Sequence, residues 1–249
     1  KSGRNLFTFG APGIGKTVAV KHVLRGLNDK TDDIYTIYVN CWKKDTSYKI
    51  LLDICEQLNY KWTHNKRTDE LMKIVSEIVN KKCVVICLDE VDRVKEIDIL
   101  YHFSEDFYKK CIIMIANNLD WFNSLDNRIK SRLNSDILEF PKYKYPEIFN
   151  ILKQRVEYAF VPGILDNEIL MLIAEKAFEK EDVRTGIFLL RESGNIAEMN
   201  ASRKIKLEHA KRAIEKLEDF KIKKTGEFDL EEQKILELIR KNNGKTIKE

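Results

Sequence analysis

Residues 10–17 read Gly10-Ala11-Pro12-Gly13-Ile14-Gly15-Lys16-Thr17, a spacing suited to a loop that turns its backbone N–H groups around phosphate oxygens. Gly10, Gly13 and Gly15 keep side chains out of the anion's path and allow positive φ angles. Lys16 would neutralise the outer phosphates of a nucleotide, and Thr17 would offer its hydroxyl to Mg²⁺. With Val18 in the turn that follows, residues 10–18 form the candidate nucleotide-binding segment. The helix expected there adds its positive N-terminal end.

A second group of residues follows a buried strand. Val84-Val85-Ile86-Cys87-Leu88 runs into Asp89-Glu90, so two carboxylates arrive at a strand end. Asp89 suits Mg²⁺ held through water, and Glu90 suits a base that orients and polarises the water attacking a γ-phosphate. Asp92 reads as local structure or as a partner for Arg93. The apolar run 111–116 ends in Asn117, on the edge where open α/β sheets bind ligands. There Asn117 either bonds the γ-phosphate or its attacking water, or simply makes a turn with Asn118.

Arg128 and Arg132 stand four apart and share one face of a short helix. Such a face either reaches a neighbouring subunit's γ-phosphate or pairs with acids in solvent. Glu181-Asp182-Val183-Arg184 opens another helix, with Asp182 as its expected N-cap. Arg184 in that first turn suits a sensor that folds a helical lid over the nucleotide.

The elements that must position these groups alternate. Strand signals occur at Asn5–Phe9 and at 34–39, 83–88, 111–116 and 137–140, with helical stretches between them. Val20, Val23, Leu24 and Leu27 are the expected apolar face of the helix after the glycine loop. Two helical stretches, 46–58 and 69–80, fill the crossover before Asp89, where one would suffice. After Pro141 only helices are expected, at 146–159, 167–178, 183–198, 207–220 and 230–241. This places an α/β nucleotide-binding domain at 1–145, a helical lid at 146–222, and a linker with an amphipathic helix at 223–249.

With 249 residues, 43 % of them hydrophobic, the chain can bury a proper core. No apolar run approaches the ~18 residues that cross a bilayer, so no membrane partner is expected. The chain opens on Lys1 and reaches its first strand at once, which reads as a sequence with further residues upstream. The five cysteines, Cys41, Cys55, Cys83, Cys87 and Cys111, lack metal-finger spacing and read as core thiols in a reducing cytoplasm. Cys83 and Cys87 have the parity to share a strand face. The net charge of +4 is a small excess on a highly charged surface. Basic clusters at 203–206, 211–212 and 221–224 fit a solvated helix face as well as a DNA contact.

Taken together, these segments resemble the AAA+ ATPases, and among them the origin-recognition and cell-division-cycle-six-type replication initiators. The resemblance is carried by residues 10–17, Val39-Asn40-Cys41, Leu88-Asp89-Glu90-Val91-Asp92, Ala116-Asn117-Asn118-Leu119-Asp120, 125–133, Phe140-Pro141-Lys142-Tyr143 and 182–198. The most family-specific run is Leu189-Leu190-Arg191 continuing to Ile196-Ala197-Glu198. It implies an AAA+ P-loop fold with a parallel sheet core, a helical lid, and the opening of a winged-helix domain from Phe228. It also implies sensor roles for Asn117 and Arg184, and an arginine finger in the Arg128 to Arg132 segment, with Arg132 preferred.

The sequence departs from the family at Glu181, where glycine is usual. The resemblance implies that the crossover insertion is a DNA-touching segment, which makes Lys43, Lys44 and Lys49 candidates for backbone phosphates or else ordinary surface lysines. The implied activity is slow ATP hydrolysis that switches a protein bound to double-stranded origin DNA. Its implied ligands are ATP or ADP with Mg²⁺, and its implied partners are other initiator subunits and the replicative helicase. The location would be cytoplasmic and nucleoid-associated, or nuclear in a eukaryote. The competing readings are a clamp-loader-like subunit and a non-hydrolysing, ATP-dependent DNA-binding or signalling module.

Overall fold

A computed structural model describes residues 4–219. Five strands alternate with helices: β1 (Asn5–Phe9), α1 (Lys16–Asn28), β2 (Ile34–Asn40), α2 (Ser47–Gln57), α3 (Thr68–Val79) and β3 (Cys83–Asp89) come first. A single 3-10 turn, Val91–Arg93, leads to α4 (Asp98–Asp106), β4 (Lys110–Ile115), α5 (Asp120–Ser124), α6 (Asn127–Leu133) and β5 (Ser135–Glu139). All neighbouring strands are parallel, in the order β2-β3-β4-β1-β5. Parallel pairing needs a crossover between successive strands, which is why helices separate them.

Helices cover both faces of the central strands, whereas edge strand β5 is largely exposed, and the strand alternation decides which residue faces which layer. Phe7, Ile37, Val39, Ile86, Leu88, Ile112 and Met114 pack with Ile50, Ile54, Leu71, Val75 and Phe103 from the helices α2, α3 and α4. Cys87, Ile113 and Ile115 pack with Val20 and Leu24 of α1 on the opposite face. Burial of these side chains is the main driving force for the layered arrangement. Val23, expected on the buried side of α1, is 55 % exposed, because that helix covers the sheet with a narrower stripe than its spacing suggests.

Asn5 ties β1 to both neighbours of its lower end. Its Nδ2 donates to Leu133 O at 2.6 Å and its Oδ1 accepts from Ile112 N at 2.8 Å. The end of α6 is thereby fixed to the sheet by a buried amide with both ends satisfied.

Cysteines divide more unevenly than expected. Cys41, Cys55 and Cys87 are buried, Cys111 is half-buried, and Cys83 is exposed. Cys83 has the same strand parity as Cys87, but it is the first residue of β3, beyond the cover of α1. No helix among the described residues is long and apolar enough to cross a membrane.

The chain divides into two compact units. Among the described residues, 4–144 and 180–183 form the first, and 145–179 and 184–219 the second. Within the second lie α7 (Tyr145–Ala159), α8 (Asn167–Glu179), α9 (Val183–Met199) and α10 (Leu207–Asp219). Gly186 of α9 allows a close helix approach, since a Cβ there would lie 2.7 Å from Leu152 Cδ1 and 3.1 Å from Ala177 Cβ. Lys216 of α10 pairs with Glu192 of α9 at 2.5 Å. The expected helix at 230–241 and the winged-helix opening lie outside the described residues.

Candidate functional site

The glycine loop leaves β1, the strand between β4 and β5, and ends where α1 begins at Lys16. Gly13 has φ +82°, and a Cβ there would lie 2.1 Å from Asp182 Oδ1. Gly10 is closed in as well, with the Phe140 carbonyl oxygen 2.5 Å and Ile14 Cδ1 2.3 Å from where a Cβ would stand. The loop is therefore enclosed by chain on its outer side as well as shaped for an anion on its inner side.

Lys16 is only 7 % exposed, and its Nζ donates to Gly10 O at 2.6 Å, Ala11 O at 3.0 Å and Asn117 Oδ1 at 3.3 Å. The ammonium is thus held at the mouth of the loop together with the side chain that β4 delivers. Thr17, next on α1, donates through Oγ1 to Asp89 Oδ2 at 2.7 Å. Asp89 ends β3 and is 3 % exposed, and its Oδ1 accepts the Glu90 N–H at 3.0 Å. Three strand ends so converge: β1 through its loop, β3 through Asp89, and β4 through Asn117.

Glu90 itself sits in the left-handed region, with φ 54° and ψ 46°. An L-residue holds that conformation at a cost of roughly 1–2 kcal/mol, and such strain gathers at functional sites. Asp92 pairs with Arg93 at 3.8 Å, as its position suggested. Arg93 lies over the Trp42 ring, 4.4 Å from its centroid.

A hydroxyl and a carboxylate oxygen side by side, beside a buried ammonium, form a donor set suited to a small hard cation bridged to phosphate oxygens. Thr17 and Asp89 would hold Mg²⁺, and Lys16 with the loop N–H groups would hold the phosphates. Val18 is 65 % exposed, outside this cluster.

The buried thiols add a local effect. Burial, and then the nearby Asp89, Asp92 and Glu90 carboxylates, push the Cys41 thiol up to about 12. Cys87 is raised for the same leading reason, with Asp89 again contributing.

The two arginines of α6 stand in different surroundings. Arg132 Nη1 pairs with Glu105 Oε1 of α4, and its guanidinium lies 5.7 Å from the Tyr101 ring centroid. Arg128 is exposed near the start of α6, where Asp126 caps the helix by accepting the Arg128 N–H at 2.7 Å. Arg184 is the second residue of α9 and belongs to the second unit. Among the candidate DNA-contact lysines, Lys49 pairs with Asp45 at 2.7 Å and Lys44 with Asp53 at 3.5 Å, whereas Lys43 is exposed.

Glu181, which stands where glycine was expected, has φ 53°. Its carboxylate pairs with Lys142 at 2.5 Å. The substitution therefore keeps the left-handed backbone that glycine would adopt freely.

Sequence reasoning did not find Tyr38, whose hydroxyl donates to Asp89 Oδ2 at 2.6 Å. The available signal was its spacing of two residues before Asn40, which puts it on one strand face with the end of β2. Asp182 was read only as a helix cap, yet its carboxylate packs against the glycine loop at Gly13. Glu105 was also missed, since nothing local marks an acid that pairs with an arginine 27 residues later.

A family model described as an AAA domain matches residues 1–127, and one described as a Cdc6 AAA+ ATPase-type lid domain matches residues 149–215. The chain is 32 % identical over 227 residues to the ORC1-type DNA replication protein 1 of Sulfurisphaera tokodaii, covering 86 % of this chain and 57 % of that protein. It is 34 % identical over 238 residues to the ORC1-type DNA replication protein of Pyrococcus furiosus, covering 86 % of this chain and 56 % of that one. The chain thus spans little more than half the length of these relatives. The solved structure of the Aeropyrum pernix ORC1 protein in complex with DNA superposes with a TM-score of 0.79 at 28 % identity, covering 87 % of this chain and 60 % of that one. Both the sheet with its glycine loop and the helical second unit have counterparts in these matches, and the chain belongs to the AAA domain family.

Proposed function

We propose that this chain is the ATPase part of a replication initiator, which binds ATP with Mg²⁺ and acts on double-stranded origin DNA. The observation that carries the reading is the meeting of Lys16, Thr17, Asp89 and Asn117 at one sheet edge. Lys16 and the loop N–H groups bind the phosphates. Thr17 and Asp89 would hold Mg²⁺, whose positive charge would offset that of the phosphates. Glu90 accepts the proton of the attacking water, and Asn117 orients that water against the γ-phosphate.

An arginine of the α6 segment, Arg128 or Arg132, stabilises the transition state in a neighbouring copy, and Arg184 reads the γ-phosphate from the lid. Residues 1–145 are the nucleotide-binding base and 146–222 the lid, while the linker and winged-helix opening expected at 223–249 lie outside the described residues. Other initiator subunits and the replicative helicase are the protein partners, in the cytoplasm on the nucleoid. The similarity to ORC1-type proteins, one of them solved on DNA, supports the DNA-bound role.

Glu90→Gln is the decisive variant. It keeps ATP binding and loses turnover by roughly 10²–10⁴-fold, the usual contribution of a general base. Trace turnover equal in both proteins would instead favour a module in which ATP only fixes conformation.

A further inference from the structure

The registers Tyr38↔Cys87 and Asn40↔Asp89 put Tyr38 on the sheet face that α1 covers, two residues below the end of the strand. Two residues rise about 6.6 Å along a strand. The phenol runs upward over that distance, and its hydroxyl donates to Asp89 Oδ2 at 2.6 Å. The same oxygen accepts Thr17 Oγ1 at 2.7 Å, while Oδ1 takes the Glu90 N–H at 3.0 Å. Three donors therefore fix a carboxylate that is almost wholly buried.

Tyr38 is itself held from two sides. Gln57 of α2 bonds its backbone twice, accepting from Tyr38 N at 3.1 Å and donating to Tyr38 O at 2.9 Å. Lys21 Nζ of α1 lies 4.1 Å from the centroid of its ring. Of the two hydroxyls on Asp89 Oδ2, that of Thr17 belongs to the cation site. The Tyr38 hydroxyl comes from a neighbouring strand and orients the carboxylate from outside that site.

We propose that Tyr38 is a positioning residue, whose hydroxyl holds the Asp89 carboxylate toward Thr17 and thereby sets affinity for the divalent cation rather than for the nucleotide. This rests on the nucleotide-and-Mg²⁺ reading above. Outer partners that orient a metal-binding carboxylate are typically worth about 10–100-fold in metal affinity. Tyr38→Phe removes only the oxygen and leaves the ring beneath Lys21.

The test uses the full-length protein and titrates MgCl₂ while following ADP binding by fluorescence and by thermal shift, with a parallel ADP titration in EDTA. Tyr38→Phe is expected to raise the half-saturating Mg²⁺ by roughly tenfold, with ADP affinity in EDTA unchanged. Gln57→Ala loosens the same strand but keeps the hydroxyl, and should leave the Mg²⁺ midpoint in place. A Tyr38→Phe protein with the wild-type Mg²⁺ midpoint overturns the positioning role and leaves the cation site standing. An equal loss of ADP affinity in EDTA overturns it too, because the tyrosine then serves only packing. Wild-type ADP binding that ignores Mg²⁺ altogether overturns both this role and the reading on which it rests.

Discussion

Thr17 Oγ1 and Asp89 Oδ2 lie 2.7 Å apart across 72 residues of chain, so the first turn of α1 is joined to the end of β3. The strand between β3 and β1 in the sheet is β4, which adds Asn117 at 3.3 Å from Lys16. A nucleotide entering this edge would meet one ammonium already placed by three oxygen acceptors. Lys16→Ala is therefore expected to weaken ADP binding at least tenfold, since a hydrogen bond to a charged group contributes about 1.5–3 kcal/mol. The melting temperature without nucleotide should change little, and the shift on adding ADP should shrink. An undiminished shift would show that the loop does not carry the binding.

The two arginines of α6 separate by their surroundings. Arg132 pairs with Glu105 and lies over the Tyr101 ring, so Arg132→Ala should cost about 1 kcal/mol of stability in urea unfolding. Arg128→Ala, at an exposed position, should stay within about 0.5 kcal/mol of wild type. Delivery of Arg128 to a neighbour requires no intramolecular pair with Glu105 to be broken. In mixtures with Glu90→Gln subunits, whose own sites are inactive but whose arginines are intact, an Arg128→Ala protein should regain turnover. If only Arg132→Ala is rescued by mixing, the finger is Arg132 and Glu105 must release it.

Much of this site was legible because its chemistry is local. The glycine loop, the apolar run into Asp89-Glu90 and the run into Asn117 each carry their own signal in a few consecutive residues. Tyr38 was hidden because its role depends on the register between β2 and β3, which pairs residues 49 apart. The Arg132–Glu105 pair depends on how α6 packs beside α4, which no periodicity records. Cys83 shows the converse case, where the parity with Cys87 was read correctly but helix cover ends before the strand does.

The stability of the base should fall in alkali through its buried thiols. Cys41 stands at about 12, raised from an ordinary value of 9.0, so its thiol stays protonated in the fold while the unfolded chain ionises. Its contribution is complete below pH 9 and is lost between pH 9 and 12, at about 1.4 kcal/mol per pH unit. Cys87 and Tyr38 are raised as well and act in the same direction. Urea unfolding at pH 8, 9.5 and 11 should show this decline, and Cys41→Ala should flatten it. Iodoacetamide at pH 8 should modify exposed Cys83 first and leave Cys41 and Cys87 unmodified in the folded protein. Equal slopes for wild type and Cys41→Ala would remove Cys41 from the account.

Glu90 combines a strained backbone with the position expected of the base. Its φ of 54° costs an L-residue roughly 1–2 kcal/mol, part of which glycine would recover. Glycine also widens the unfolded ensemble, at a cost of about 0.4–1 kcal/mol. The net expectation for Glu90→Gly is a gain of up to about 1 kcal/mol in urea unfolding, together with loss of ATP turnover. Glu90→Gln keeps the side-chain shape and the strain, so it should lose turnover at unchanged stability. Comparing the two variants separates the cost of the conformation from the chemistry of the carboxylate. A Glu90→Gly protein less stable than wild type would mean that the left-handed turn is held by contacts of the glutamate side chain. The strain would then not be what the fold tolerates in order to place a base after Asp89.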